Sequence, residues 1–486
     1  MNCVDYFFEE TLSLDKKFIV GNEEFSFAEL YEQTNKLAHY LNSQVGTGEN
    51  ILLLSVNSGF FVSSYLGIMK SGNTCVPLDP RIEAKNLDYI INETNPTLII
   101  LTPDVAKRIN TNIECLLPED ILGLKGVLSD QYKKDIDFDS NTTAEVIFTS
   151  GSTGLPKGVM LSHKNLIANT KSIVEYLELT SNDRMMVVMP FFYCYGLSLL
   201  HTHLRVGGSI IFNNSFIFLG KIITDLKNYC CTGFAGVPSH FQILLRKSES
   251  FKNTDFPDLR YVTQAGGKLS TVFIDEFRLS FPGTKFFVMY GQTEATARLS
   301  YLPPDVYEEK KGSLGKGIPG VTLKVINKEG TAVKPGEVGE IIAYGDNIMK
   351  GYLNHPEETF KTIKEGWLYT GDLGIVDNDG FIYHAGRIKE IMKIAGKRVS
   401  PKEIEDVILR IPEVVDCSIE AIEDEVQGEA IKATVIVNNL TKNTLTEKNI
   451  KEHCSHSLVA YKIPSTIEFR EKMQLSSSGK KVKTKL

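Results

Sequence analysis

The stretch Phe148-Thr-Ser-Gly-Ser-Thr-Gly-Leu-Pro-Lys-Gly-Val159 crowds four hydroxyls and two glycines ahead of Lys157. Small residues let backbone N–H groups converge, and converging N–H groups bind anions. The hydroxyls add donors and Lys157 adds a positive charge, so the chemistry on offer is phosphate binding. A Gly/Ser/Thr-rich turn by itself is ordinarily only a loop. The apolar run Val146–Phe148 before it and the lysine after it are what point to phosphate. The stretch is not the usual P-loop, because counting from Gly151 places Pro156 at the second glycine and Gly158 at the Ser/Thr position. Gly315-Lys-Gly-Ile-Pro-Gly320 spells a dinucleotide fingerprint, but Val321–Ile326 after it reads as a strand where that fingerprint requires a helix.

These residues need a frame. Residues 25–41 read as an amphipathic helix, with Phe27, Leu30, Tyr31, Leu37, Ala38 and Leu41 on one face. Ile51–Val56, Thr74–Leu78 and Thr97–Leu101 read as short apolar strands, and Phe60–Met69 and Ile82–Ile91 as the helices between them. That alternation implies a mostly parallel sheet covered on both faces, and it returns from Glu145 to about Val288. Val321–Ile326 and Glu340–Ala343 read as strands of a smaller β-rich subdomain, about residues 312–386. Ser400-Pro401-Lys402-Glu403 reads as a capping box that launches a helix through Leu409. Strands at Val414–Ile422 and Ala430–Val437 and a helix near Glu447–Leu458 follow. The fold class is α/β: a large N-terminal domain over residues 1–386, with mostly parallel sheets covered by helices, then a small mobile α+β domain over 387–486. The hinge is expected near Lys389.

A chain of 486 residues exceeds one hydrophobic core. A net charge of −7, with the tail Lys480, Lys481, Lys483 and Lys485 the one strongly basic stretch, speaks against nucleic acid as a partner, because phosphate neutralisation needs clustered Lys and Arg. Eight cysteines without a C-x-x-C pair give neither zinc spacing nor a disulfide framework, and fit a reducing cytoplasm. Neither a signal peptide nor a membrane span is expected.

Thr149–Gly158, read as T-S-G-S-T-G-L-P-K-G, resembles the signature of the adenylate-forming superfamily. That superfamily holds acyl-CoA synthetases, nonribosomal peptide adenylation domains and firefly-luciferase-like enzymes. Further matches follow in order: Tyr290-Gly-Gln-Thr-Glu294, Tyr369-Thr-Gly-Asp372, Gly386-Arg387 with Lys393, Gly396 and Glu403-Ile-Glu405, and Ser478-Gly-Lys480. The resemblance implies ATP- and Mg²⁺-dependent activation of a small carboxylic acid to an acyl-adenylate, with release of pyrophosphate and transfer to a thiol. It implies an ATP site made of Thr149, Ser150, Gly151, Ser152, Thr153, Gly154, Lys157, Gly266, Gly267, Tyr290, Gly291, Gln292, Asp372 and Arg387. Tyr290 would stack on adenine, Asp372 would accept from both ribose hydroxyls, and Arg387 would contact ribose or phosphate. Lys268, after Gly266-Gly267, departs from the small residue expected there. Thr293, Glu294 and Lys480 are the implied catalytic residues, with Glu294 the oxygen ligand of Mg²⁺ and Lys480 bridging carboxylate and α-phosphate. Lys389 is the implied pivot.

Pro190–Ser198 resembles the segment that shapes the acyl pocket. Tyr193, Cys194, Phe234, Val237, Met289, Ala297 and Arg298 are its expected lining, mainly apolar. Cys194 stands where amino-acid-activating relatives place an aspartate, and a buried ammonium without a partner is costly, so an ordinary α-amino acid is disfavoured. Arg298 reads as a structural ion pair at the rim, or as the holder of a second anionic group. Coenzyme A is the expected thiol, the phosphopantetheine arm of an acyl carrier protein the alternative. A luciferase-like oxygenase and an inactive nucleotide-binding regulator are more remote.

Overall fold

The computed structural model describes residues 1–124, 138–149, 155–394, 397–424, 428–438 and 445–473. Ser150, Gly151, Ser152, Thr153, Gly154, Gly396 and Lys480 therefore lie outside the described residues.

Strands Asn50–Leu54, Thr74–Leu78 and Leu98–Leu101 are apolar almost throughout because both faces are covered. Their alternate residues enter different cores. Ile51 and Leu53 meet Met185, Val187 and Ile210 of a second sheet through the helices between them. Leu52 and Leu54 face the opposite way, against Leu87 and Ile90 of helix Ala84–Thr94. The second sheet repeats the pattern: Met186 and Ile211 turn outward onto Phe241 and Phe277 of helices Pro238–Lys247 and Thr271–Ser280. Two sheets and three helical layers result, with the largest apolar cluster between the sheets.

Among the described residues the first sheet has seven strands, and antiparallel strands Thr143–Thr149 and Lys157–Ser162 lie toward one edge. The second has fourteen; its parallel half runs through Tyr261–Gln264 and Lys285–Tyr290. Ser300–Leu302 then reverses direction and hands the sheet on to antiparallel strands Ser313–Gly317, Val321–Ile326, Val338–Gly345, Trp367–Val376 and Ile382–Arg387. The β-rich stretch thus continues the large sheet by hydrogen bonding.

Helix Phe27–Gln44 begins at its N-cap Ser26, whose hydroxyl accepts from Glu29 N at 3.1 Å while Glu29 accepts from Ser26 N at 2.7 Å. The helix expected over 82–91 runs from Ala84 to Thr94 and ends where Asn95 turns left-handed at φ 41°. Ser400 is the N-cap of helix Pro401–Ile408, but its side chain makes no cap hydrogen bond. The capping box expected there fails because both Glu403 oxygens are held by Lys462, at 2.6 and 2.7 Å.

In the C-terminal part, antiparallel strands Val414–Asp424 and Gly428–Val437 and the parallel strand Thr466–Arg470 form one sheet. It docks on helix Pro238–Lys247 through Arg246, which is 9% exposed. Arg246 donates to the carbonyls of Leu409 (3.2 Å), Ile411 (3.1 Å) and Val414. Asn438 returns a bond to Arg246 O at 2.9 Å. Among the described residues, no helix is long and apolar enough to cross a membrane.

Candidate functional site

Strand pairing assembles the first part. Asp372 and Arg387 are direct partners across the antiparallel pair Trp367–Val376 and Ile382–Arg387. Arg387 Nε donates to Asp372 Oδ1 at 2.9 Å, and Tyr290 OH, at the end of its strand, donates to Asp372 Oδ2 at 2.7 Å. His384 Nε2 stands 3.7 Å from the same carboxylate. Asp372 is 2% exposed. Burial alone would lift its carboxyl, but the nearby His384 imidazole and the Arg387 charge outweigh that and hold it below the usual carboxylate range. Burial, then the Asp372 charge, keeps Tyr290 a phenol. The carboxylate expected to be free for two hydroxyls is therefore already engaged at both oxygens, while the guanidinium of Arg387 stays largely exposed, at 58%.

The second part is the turn after Tyr290. A Cβ on Gly291 would stand 2.0 Å from Ala297 O, so only glycine lets the chain fold back there. Thr293–Ala295 form a single 3₁₀ turn. Thr296 then takes φ 64°, ψ −53°, and Ala297 N bonds Ala295 O at 2.7 Å. This is a γ-turn at a β-branched residue, a conformation costing about 1–3 kcal/mol. Asn347, 2% exposed, compensates: its Nδ2 donates to Arg298 O at 2.7 Å and Ala295 O at 3.2 Å, and its carbonyl accepts from Thr296 Oγ1 at 2.7 Å. The clamp fixes where Thr293 and Glu294 point. Gln292 Nε2 is buried with no partner among the described residues, a donor available to a ligand.

Glu294 is reached from the phosphate side. Tyr352 OH donates to Glu294 Oε1 at 2.8 Å, and Tyr352 pairs with Val159 across the strand that Lys157 opens. Lys157 lies 5.3 Å from the Tyr352 ring and pairs with Glu358 at 2.7 Å. Lys157 and Lys361 hold the Glu358 carboxyl down at about 2. Thr149 faces Lys157 across the antiparallel pair of strands that flank residues 150–156. Among the described residues no group of three His, Cys, Asp or Glu side chains could hold a metal. Glu294 alone still suits Mg²⁺, which takes one or two carboxylates and completes its shell with phosphates and water. One Glu294 oxygen is bonded to Tyr352, leaving the other available.

The third part is the acid side. Cys194 opens helix Cys194–Val206, and its Sγ lies 3.5 Å from Thr293 Oγ1. Val237, Met289 and Tyr195 share the cluster between the sheets. Phe234 does not join them: it points to the opposite face, edge-on to Phe241 with centroids 5.7 Å apart. Strand alternation decides this, because Ala235 beside it takes the inner face. Gly266 has φ +82°, and a Cβ on Gly267 would touch Pro238 Cγ at 3.4 Å. Lys268 leaves that wall for Asp406 of the C-terminal part, at 2.7 Å. Ala297 is buried at 3% in the clamped turn, and Arg298 at 2% beside it, with no ion pair among the described residues. Lys389 lies in the 3₁₀ turn Ile388–Glu390, immediately after the last strand of the large sheet. Tyr352, Asn347, His384 and Glu358 escaped the sequence reading. Only Tyr352, after a glycine in an apolar stretch, left a local trace.

The family model for AMP-binding enzymes matches residues 10–353, and that for the AMP-binding enzyme C-terminal domain matches 403–480. The 4-coumarate–CoA ligase 3 of Arabidopsis thaliana is 31% identical over 98% of this chain and 89% of its own. An oxalate–CoA ligase of the same plant is 29% identical over 95% and 93%. ATP-bound MatB from Rhodopseudomonas palustris superposes with a TM-score of 0.85 at 25% identity, over 99% of this chain and 97% of that one. The anthranilate–CoA ligase AuaEII, with anthranoyl-AMP, shares the fold at TM-score 0.89 and 23% identity, over 99% and 95%.

Proposed function

The chain belongs to the AMP-binding enzyme family and is an AMP-forming acid–thiol ligase, and we propose that its thiol is coenzyme A. A carboxylate oxygen of the acid attacks the α-phosphorus of ATP, the bond to the β-phosphate breaks, and pyrophosphate leaves. The thiolate sulfur then attacks the carbonyl carbon of the acyl-adenylate and AMP leaves. The observation that carries this reading is the contiguity of Lys157, Tyr352, Glu294, Thr293 and Cys194, which runs from the phosphate hairpin to the acid pocket.

Each residue has a task in this reading. Lys157 exchanges Glu358 for a phosphate. Arg387 and the Asp372–Tyr290 pair hold the ribose side, and the open Gln292 amide faces the ligand. Thr293, fixed by the Asn347 clamp, donates to the α-phosphate or the acid. Glu294 would hold Mg²⁺, which when bound would supply charge neutralisation for the phosphates. Lys480 supplies positive charge to the attacking carboxylate. The thiol must reach the same carbonyl, so Lys480 withdraws for the second step. Lys389 is the pivot for that movement, at the boundary between residues 1–386 and 387–486. The docked placement held by Arg246 is one end of it.

Coenzyme A is favoured over a carrier protein because relatives that span nearly the whole chain are CoA ligases. The test supplies ATP, Mg²⁺ and a panel of acids, first reading acid-dependent pyrophosphate release. Thioester formation is then compared between free coenzyme A and a carrier protein bearing its phosphopantetheine arm. Acylation of the carrier with none of coenzyme A would overturn the acceptor assigned here.

A further inference from the structure

Arg298 follows the clamped turn directly, and its backbone is fixed. Its carbonyl accepts from Asn347 Nδ2 at 2.7 Å and Asn169 Nδ2 at 3.4 Å. The side chain is enclosed, with the residue 2% exposed. A guanidinium carries five N–H donors. Here Nε meets the Met289 thioether at 3.2 Å, Nη1 meets Ala297 O at 3.4 Å, and the neutral phenol of Tyr176 is a further hydrogen-bond partner of the guanidinium. One face lies over the Tyr195 ring, with Cζ 4.3 Å from its centroid. A thioether is a weak acceptor and a cation–π contact offsets only part of the desolvation of a charge. No carboxylate pairs with Arg298 among the described residues.

Other buried ionisable groups are accommodated differently. Lys70, also enclosed, is paired with Asp5 at 2.5 Å. Glu145 is protonated over much of the pH range and bonds Tyr65. The buried imidazoles His163, His201 and His240 are neutral. Arginine has no neutral form to retreat to. A buried cation needs an anion, and the described residues do not provide one.

The location says what kind of anion would. Met289, Tyr195 and Tyr176, side chains against the guanidinium, lie in the cluster between the sheets. Tyr195 is the next residue after Cys194, whose Sγ approaches Thr293. The geometry points to Arg298 as the specificity residue that receives a second anionic group, so that the acid activated here is a dicarboxylate. One carboxylate is adenylated and the other pairs with Arg298. This assignment rests on the ligase reading above and adds the class of its substrate. The Met289, Tyr195 and Val237 surfaces then line the chain between the two carboxylates.

The test uses the full chain with matched acids: propionate against malonate, butyrate against succinate, valerate against glutarate, and benzoate against isophthalate. Pyrophosphate release gives kcat/KM for each, and dicarboxylate-induced thermal stabilisation is measured without ATP. At one length or shape the dicarboxylate should exceed its monoacid by about 100-fold, the cost of leaving a buried charge unpaired. Arg298→Met should reverse that preference and abolish the stabilisation. Arg298→Lys, which keeps the charge, should retain the preference at a lower rate. A wild-type enzyme that favours the monoacid in every pair overturns the assignment and leaves the ligase reading standing. A dicarboxylate preference unchanged in Arg298→Met overturns it as well. Should no acid release pyrophosphate, the ligase reading falls. Stabilisation of wild type, but not of Arg298→Met, by a dicarboxylate would still support the anion site, and its absence would overturn it.

Discussion

The nucleotide side of this molecule and the layer between its two sheets treat charge in opposite ways. On the nucleotide side every described charge has an exchangeable partner: Asp372 with Arg387 and Tyr290, Lys157 with Glu358, Glu294 with Tyr352. Two of those partners, Arg387 and Glu358, keep substantial exposure, so a ligand can replace them at modest cost. Between the sheets, ionisable groups stand without exchangeable partners and mostly give up their charge. Burial raises the Glu145 carboxyl to about 7, countered only in part by the Tyr65 hydrogen bond, and lowers His201 to about 3. Arg298 is enclosed in the same layer with no carboxylate partner among the described residues. The contrast teaches where to look for specificity: paired groups at the rim can exchange partners, whereas an interior cation without a carboxylate partner among the described residues is the group whose partner the acid could supply.

The largest expected effect is on the rim. Lys480→Ala should lower acid-dependent pyrophosphate release by about 10²–10³ while the variant stays folded, as loss of a positioned transition-state charge does. Near-normal acyl-adenylate formation would remove Lys480 from the catalytic set. Next comes the interior. Glu145 titrates at about 7 in the folded chain against a usual 4.5. Between those values the folded state holds a proton the unfolded state has lost, so stability falls as pH rises through that window, by on the order of 3 kcal/mol. Glu145→Gln should flatten the fall, read from denaturant midpoints at pH 5 and pH 8. An unchanged pH slope would mean that the carboxyl is not held protonated.

Asp372→Asn should raise the Michaelis constant for ATP by about tenfold, because Arg387 and Tyr290 lose the charge that orders them. Its kcat should change much less, and an equal fall in both would assign Asp372 to the chemical step. The smallest effect belongs to Glu358→Gln. Freeing Lys157 from an exposed ion pair is worth about 0.2–1 kcal/mol, so the Michaelis constant for ATP should drop by no more than about fivefold. A rise would make Glu358 part of the phosphate site.

The sequence by itself determined the layered α/β frame and the local turn that carries Tyr290–Glu294. Strands such as Leu98–Leu101 are apolar on both faces only if both faces are covered, and that is visible residue by residue. The turn Tyr290–Glu294 and the pair Thr370–Asp372 are local patterns, whose backbone needs, such as the glycine at 291, are written in consecutive residues. Ser400 shows the limit, because its capping partner Glu403 is held by Lys462, 59 residues away. Tertiary structure alone decided which face Phe234 takes, since strand alternation names two faces without naming their neighbours. It also decided that Asn347 clamps the Thr296 turn and that Tyr352 joins Lys157 to Glu294, contacts made across distant strands. For Arg298 the sequence offered an ion pair or an anion site. The choice between them depends on whether a carboxylate reaches a buried guanidinium, and that is a property of three-dimensional neighbours, which no spacing along the chain encodes.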